Sequence, residues 1–446
     1  MHSPENKAIR NSIEIMSELS FKRANKLEGE VRLPGDKSLS HRASLFAALA
    51  EGESVIERFL VSGVTRMMLN ALTSLHIPWS LKGDTLVVTG RGLQGFREPA
   101  SPINCGNSAT TIRLLAGALA ASGTPCVLDG SEGLRKRPMD RITEPLLRMN
   151  VPITETISCA PLHLARRDAD HPLRAVDYTL PVASAQVKSC VMLAALAADG
   201  CSVIREPGPS RDHTERMLSA MGADIRWSPG VVDICPLTRA LNPLHMSLAG
   251  DISSAAFLLV ATAIVPGSSI CIREVGLNPT RTGILDALKA MGAKITLENE
   301  RMVAGEPVGD VHLVSDALKS ITVSGDLVVR MIDEFPAFAI AACYAEGVTV
   351  VRDARELRYK ETDRIDILCG ELRKLGVQLE MYDDGFAIHG KTLIGGVVDG
   401  AGDHRIAMSL AVAGLASPEP VVVQHAEILN ESFPGFVTHI HALAGE

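Results

Sequence analysis

Leu218-Ser219-Ala220-Met221-Gly222-Ala223-Asp224-Ile225 and Leu288-Lys289-Ala290-Met291-Gly292-Ala293-Lys294-Ile295 carry one pattern twice: the last turn of an apolar-periodic helix, a glycine hinge, and the start of a strand. Looser copies run through Leu72 to Ile77, Leu147 to Ile153 and Leu372 to Leu379. Aligning His76, Asn150, Gly222, Gly292 and Gly376 gives spacings of 74, 72, 70 and 84 residues, and a sixth hinge falls near Gly445. Glycine suits such a hinge because a helix C-terminus closes readily in the left-handed region, where a Cβ clashes. After several hinges a strand, a turn and a second strand follow, as in Gly83 to Gly90 and Asp383 to Gly390. The pattern predicts six α/β units of about seventy residues, too long for a solenoid of the TPR or ankyrin kind, and hence two globular domains of three units each.

A coarser duplication marks the boundary. Gly35-Asp36-Lys37-Ser38 is echoed by Gly250-Asp251-Ile252-Ser253, each opening an Ala/Leu-rich helix. The chain is expected to cross between halves at these points, with one domain over 35–249 and the other over 250–446, to which residues 1–34 add a strand.

Composition agrees and excludes several classes. A length of 446 residues allows two or three domains. The longest nearly uncharged apolar stretch, Ala255 to Pro266, falls well short of the roughly 18 residues that suggest a membrane span. Met1 to Gly29 mixes Glu5, Glu14, Glu18 and Glu28 with Lys and Arg and has no apolar signal region, so it reads as the loose leader of a cytoplasmic protein. A net charge of -8 and 4% aromatic residues argue against broad nucleic-acid or membrane-surface binding but permit a local basic pocket. Nine cysteines, odd in number and without a C-x-x-C pair, are expected to be reduced core residues. The thirteen histidines show no metal-ligand spacing, so no metal is expected.

Two apparent nucleotide motifs fail on context. Gly385 to Thr392 matches G-x-x-x-x-G-K-[ST], but Phe386 to His389 reads as a strand and no helix start follows. Gly90 to Gly95 matches G-x-G-x-x-G, but Pro99 and Pro102 stand where the dinucleotide fold needs a helix.

The informative segments are polar and basic clusters at helix starts. Pro34-Gly35-Asp36-Lys37-Ser38-Leu39-Ser40-His41-Arg42 precedes an apolar run and combines N–H groups, a hydroxyl and two cations, the makings of an anion site. Cys105 to Arg113, Gly133 to Arg141 and Pro181 to Ser189 open further helices, the second packing four cations into seven residues. Any one of these could be an ordinary capped helix; four in one domain point to a cleft for small, multiply anionic ligands. The second half supplies acids beside cations in Met331 to Pro336, Arg358 to Arg364 and Gly402 to Met408. Asp333, Lys360 and Glu361 are the acid/base candidates, because a lysine desolvated among cations exchanges protons near neutral pH. The reaction class stays open on these grounds.

Taken together, Pro-Gly-Asp-Lys-Ser-x-Ser-His-Arg (34–42), Gly-Asn-Ser-Ala-Thr (106–110), Lys-Arg-Pro-Met (136–139), Ser-Ala-Gln-Val-Lys-Ser (184–189), Ser-Arg-Asp-His-Thr-Glu (210–215), Asn-Pro-Thr-Arg (278–281), Lys-Glu-Thr-Asp-Arg (360–364) and Asp-His-Arg-Ile-Ala-Met (403–408) resemble the 5-enolpyruvylshikimate-3-phosphate synthase family, in order, over nearly the whole chain. The resemblance implies an α/β protein of two domains, each an inside-out arrangement of three βαβαββ-type repeats, closing on shikimate-3-phosphate and phosphoenolpyruvate, as a monomer with no metal or organic cofactor. It implies shikimate-3-phosphate contacts from Lys37, Ser38, Arg42, Ser184, Ala185, Gln186, Arg211, Asp333 and Lys360. It implies phosphoenolpyruvate contacts from Lys37, Asn107, Ala109, Arg137, Gln186, Arg364 and Arg405. Asp333 and Lys360, with Lys37 between the substrates, would handle the hydroxyl proton, and Glu361 the carbon proton. Ala109 stands where glyphosate-sensitive members carry glycine, which implies a glyphosate-insensitive enzyme.

Two positions depart from the family's pattern: Glu431 replaces a lysine found in many members, and Glu356 replaces an amide found in some. The related UDP-N-acetylglucosamine enolpyruvyl transferases carry Lys-Asn at the first motif and a loop cysteine. Here the first motif is Lys37-Ser38 and Gly130 to Arg137 holds no cysteine. A non-catalytic α/β scaffold would be expected to have lost Asp333, Lys360 and Glu361.

Overall fold

A computed structural model of the chain describes residues 18–154, 158–168, 170–391 and 393–446. All six hinges turn through positive φ: His76 at 62°, Asn150 at 67°, Gly222 at 98°, Gly292 at 105°, Gly376 at 80° and Gly445 at 75°. Each ends a helix, and the first five release the chain into the next segment, so the repeat seen in the sequence is one of backbone geometry.

Six helices form the centre of the molecule: α1 (Lys37–Leu49), α2 (Ala109–Ser122), α3 (Ala185–Ala195), α4 (Ile252–Ile264), α5 (Phe335–Cys343) and α6 (His404–Gly414). Every residue of α4, α5 and α6 is buried. A helix apolar on all sides has no solvent face to offer, so it is placed inside and the sheets are left outside. The strands show the complement: Glu51–Glu57 alternates towards its end between exposed and buried positions, one face to water and one to the helices. Fully burying a side chain such as Phe338 contributes about 1.5–3 kcal/mol, which is why these helices hold the domains together.

Among the described residues there are six sheets, five of four strands and one of three. In each four-stranded sheet a parallel pair is extended by an antiparallel hairpin, as where Thr322–Val323 runs parallel to Val348–Val351, which pairs antiparallel with Gly385–His389, itself antiparallel to Leu379–Tyr382. The stretch resembling a phosphate loop is therefore strand up to His389; Thr392 lies outside the described residues. The outer strands come from far away in the chain. His245–Ser247 completes the sheet of Glu51–Glu57, and Glu28–Arg32 completes that of Ser269–Gly276.

Two apolar cores result. One draws on Leu39 to Ala249 together with Val308, the other on Leu19 to Leu33 and Ile252 to Leu443. Two chain segments cross between them side by side, with Gly35 bridged to Gly250 and the Asp36 N–H donating to the Ala249 carbonyl at 2.8 Å. A Cβ at Gly35 would lie 1.9 Å from the Arg58 carbonyl oxygen, so only glycine allows the crossing.

Two expectations are corrected. The leader is not loose from residue 18 onward: Glu18–Leu19 pairs with Val421–Gln424, and Leu19, Phe21 and Leu27 are buried, the Phe21 ring meeting those of Phe436 and His441. Three large apolar side chains within nine residues anchor it; residues 1–17 lie outside the described residues. Nor are all nine cysteines free, since Cys201 and Cys235 form a disulfide. The antiparallel pairing of Ser202 with Ile234 sets the two flanking cysteines opposite each other, with Cα atoms 4.0 Å apart. The other seven are free thiols.

Candidate active site

A cavity of about 480 Å³ lies between the two cores. From the first domain it receives the N-termini of α1, α2 and α3, and from the second the turn before α5, the segment Tyr359 to Glu361, and the start of α6. Four of these helices, α1, α2, α3 and α6, open behind a polar cap. Asp36 accepts from the Leu39 N–H, Ser108 from that of Thr111, Ser184 from that of Val187, and Asp403 from that of Arg405. First-turn N–H groups lack intrahelical partners, so converging N-termini give the cavity a positive lining before any side chain is counted.

Asp333 is the electrostatic centre. Its carboxylate lies 2.6 Å from Arg211 Nη2, 3.4 Å from Arg364 Nη1 and 3.7 Å from both Lys360 Nζ and Arg405 Nη2. Burial alone would raise its pKa, but Arg211, Arg405, Lys360 and Arg364 outweigh that and hold it well below the usual carboxylate range. Glu361 is held down in the same way against burial, by Arg364 at 2.7 Å and Arg137 at 3.4 Å. Lys37 and Lys360 move in the opposite sense. Burial is the larger cause for both, with Arg405 adding to it at Lys37 and Arg364 at Lys360, so each ammonium gives up its proton more easily than a surface lysine.

Gln186 closes the first-domain wall. Its Oε1 accepts from Arg113 Nη1 at 2.6 Å and its Nε2 donates to Thr110 Oγ1 at 2.9 Å, locking the amide's orientation and joining α2 to α3. Ala109 opens α2 and lines the cavity beside Asn107, Ser108 and Thr110.

Of the residues expected from sequence, Lys37, Ser38, Asn107, Ala109, Arg137, Ser184, Ala185, Gln186, Arg211, Asp333, Lys360, Glu361 and Arg405 line this cavity together. Arg42 and Arg364 do not. The Arg42 guanidinium, 2% exposed, donates to Thr214 Oγ1 at 2.8 Å, Ser189 Oγ at 2.9 Å and the Ser38 carbonyl at 3.2 Å, bracing the wall from behind. Arg364 is likewise buried, its Nε donating to Asp403 at 2.7 Å while its other nitrogens serve Glu361 and Asp333. In both, buried carboxylates, hydroxyls or a carbonyl take the guanidinium donors.

Several other residues that line the cavity were not among the expected substrate contacts, Glu356 and Glu431 having been noted only as departures from the family's pattern. Arg141 and Glu356 face each other across the mouth in a two-pronged ion pair of 2.9 and 3.0 Å, joining the domains. Arg141 sits in the basic run 133–141 but carried no sign of its partner, 215 residues away. His404 lines the cavity, and burial drives its imidazole down to about 3, so it is neutral. Glu431 also lines the cavity, and burial raises its carboxyl.

The family described as EPSP synthase (3-phosphoshikimate 1-carboxyvinyltransferase) matches residues 21–440. A 3-phosphoshikimate 1-carboxyvinyltransferase of Syntrophomonas wolfei is 46% identical over 420 residues, covering 92% of this chain and 96% of the relative. One of Geobacter metallireducens is 45% identical over 432 residues, covering 96% and 100%. Among solved structures, an EPSP synthase of Acinetobacter baumannii superposes with a TM-score of 0.85 at 39% identity, covering 96% of this chain and 98% of that one.

Proposed function

Because the chain belongs to the EPSP synthase family, we propose that its cleft transfers the enolpyruvyl group of phosphoenolpyruvate to the 5-hydroxyl of shikimate-3-phosphate and releases phosphate. The observation that carries this reading is the division of the site: Lys37, Arg137 and Gln186 stand on one wall, Asp333, Lys360, Glu361 and Arg405 on the other. A single chain supplies both walls, so the site is complete in a monomer, which we place in the cytoplasm. The domain limits are those of the crossing, 35–249 and 250–446 with the N-terminal segment.

Ser38, Ser184, Ala185 and Arg211 bind shikimate-3-phosphate, and Arg137, Arg405, Gln186 and the wall Asn107 to Thr110 bind phosphoenolpyruvate. Arg42 and Arg364 support them from behind. The 5-hydroxyl gives its proton to Asp333, assisted by Lys360, as its oxygen adds to C2 of phosphoenolpyruvate. C3 takes a proton from Glu361, and a tetrahedral intermediate forms. Loss of a C3 proton back to Glu361 and departure of phosphate, with the proton returned to it, leave the enol ether. Glu361 is a carboxylate while Arg364, foremost, and Arg137 pair with it; the negative groups of phosphoenolpyruvate beside it, together with their hold on Arg137, push its carboxyl back up, so that it takes from solvent, before closure, the proton it donates. Fixed charges in a closed, dry cleft stabilise the phosphate and carboxylate groups without reorganising.

We further propose the glyphosate-insensitive type, with the Ala109 methyl narrowing the phosphoenolpyruvate wall. The deciding experiment for the activity measures phosphate release with shikimate-3-phosphate and phosphoenolpyruvate together. Turnover with this pair is expected; silence there and turnover with UDP-N-acetylglucosamine would overturn the assignment.

A further inference from the structure

Two motifs that substrate binding leaves unused, Asp212-His213 and Asn278-Pro279-Thr280-Arg281, meet in a buried polar knot under the crossing segments. Arg281 is 2% exposed and does not line the cavity. Its Nη1 donates to Asp36 Oδ2 at 2.9 Å and lies 3.2 Å from His213 Nε2; its Nη2 donates to Asp251 Oδ1 at 3.1 Å and Ser253 Oγ at 2.9 Å.

Each of these acceptors has a second task. Asp36 caps α1, the helix that begins with Lys37. Asp251 caps α4 and its Oδ2 accepts the Lys37 backbone N–H at 3.1 Å. Ser253 donates in turn to the buried Glu334, the residue between Asp333 and α5. Because His213 Nε2 faces an obligate donor, its proton sits on Nδ1 and goes to Glu306 Oε1 at 2.8 Å, while Asn278 holds the other Glu306 oxygen at 3.0 Å. Glu306 begins the second strand of a second-domain hairpin, and its neighbours Val303 and Ala304 pack on the first domain's core. The knot thus spans both domains beside the two crossing segments.

We propose that Arg281 is a positioning residue for the enolpyruvyl transfer: through Asp36 and Asp251 on one side and Ser253 and Glu334 on the other, it sets the separation of Lys37 and Asp333 across the cleft. Asp36 and Asp251 are two buried carboxylates at the crossing, and a planar guanidinium reaches both and the Ser253 hydroxyl at once. A lysine ammonium, a single point of charge, cannot. Displacing reacting groups by about 1 Å costs on the order of a hundredfold in rate, so a rigid tie between the opposing walls has catalytic consequences without touching substrate.

The inference rests on the activity proposed above, and its test is separable from it. Arg281→Lys and Ser253→Ala are compared with the unmodified protein in kcat for phosphate release, in the Kd of shikimate-3-phosphate by direct titration, and in hydrogen exchange over 36–42 and 331–338. Expected are a loss in kcat of tenfold or more for Arg281→Lys and threefold or more for Ser253→Ala, a Kd within threefold, and faster exchange in both segments together. A folded variant that keeps kcat within twofold, or that loosens only one segment, overturns the proposal. If Arg281→Lys does not fold, Ser253→Ala decides alone. If the unmodified protein releases no phosphate, the activity assignment fails, and the paired change in exchange still tests the tie.

Discussion

Replacing Glu356 by Gln should weaken closure of the cleft by an amount the structure sets. The Arg141–Glu356 pair joins the domains through two charge-assisted hydrogen bonds of 2.9 and 3.0 Å, with side chains 19% and 34% exposed. Fully exposed pairs contribute about 0.2–1 kcal/mol, while breaking a buried one costs about 3–5. Two-pronged geometry at intermediate burial puts this pair near 1.5 kcal/mol, or about tenfold in the closed population, since 1.4 kcal/mol is a factor of ten. Glu356→Gln keeps the shape and loses the charge; Arg141 also lies 5.7 Å from the Tyr359 ring centre, so changing the arginine would disturb a second contact. The assay is steady-state phosphate release against phosphoenolpyruvate at low and high salt. The variant should lose about tenfold in kcat/KM at low salt, and the gap should narrow at high salt as the native pair is screened. A Glu356→Gln enzyme within twofold of native at low salt, or a coupling under about 0.3 kcal/mol in a double-mutant cycle with Arg141→Gln, would refute the clasp.

Three further outcomes are expected. Asp333→Asn leaves Arg211, Lys360 and Arg405 around a group that cannot take the hydroxyl proton, and kcat should fall by about a hundredfold or more, within the 10²–10⁴ range of positioned proton transfer; a loss under tenfold would remove Asp333 from that role. Ala109→Gly should tighten glyphosate inhibition about ten- to hundredfold at fixed phosphoenolpyruvate, because one methyl intruding into a packed wall costs about 1–3 kcal/mol, and tight inhibition of the unmodified enzyme would sink the steric argument. Burial lowers His41 to about 4 in the folded chain, below its unfolded value; the unfolded chain therefore binds the proton first, so stability present above about pH 6.5 is lost as pH falls towards 4. His41→Gln should flatten the dependence of Tm on pH across that window, and identical slopes for the two proteins would contradict it.

What the sequence made legible follows from range. The hinge glycines are local: a left-handed residue between helix and strand is set by its neighbours, so Gly222, Gly292 and Gly376 could be found by eye, and His76 and Asn150 by their spacing. Clusters at helix starts were legible for the same reason, since a cap and the side chains of the first turn share a few residues. What stayed hidden lies between distant segments. Arg42 and Arg364 sit in the motifs beside lining residues, and only the fold reveals that Thr214, Ser189 and Asp403 take part of their donors. The Cys201–Cys235 bridge depends on a strand register that no spacing rule encodes. Arg281 was visible as part of a motif, but its purpose requires Asp36 and Asp251 from two crossings at once.

The outer strands impose an order of assembly. Glu51–Glu57 gains its parallel neighbour only when His245–Ser247 exists, and Glu28–Arg32 has no partner until Ser269–Gly276 follows it. During synthesis from the N-terminus the first domain must therefore hold an open edge through nearly its whole length, while the segment before it waits unpaired. Pairings this remote in sequence slow folding and lengthen the exposure of strand edges. A nascent chain stalled before residue 245 should be markedly more sensitive to protease and more dependent on holding chaperones than one stalled after residue 276, although both contain the complete first wall of the cleft.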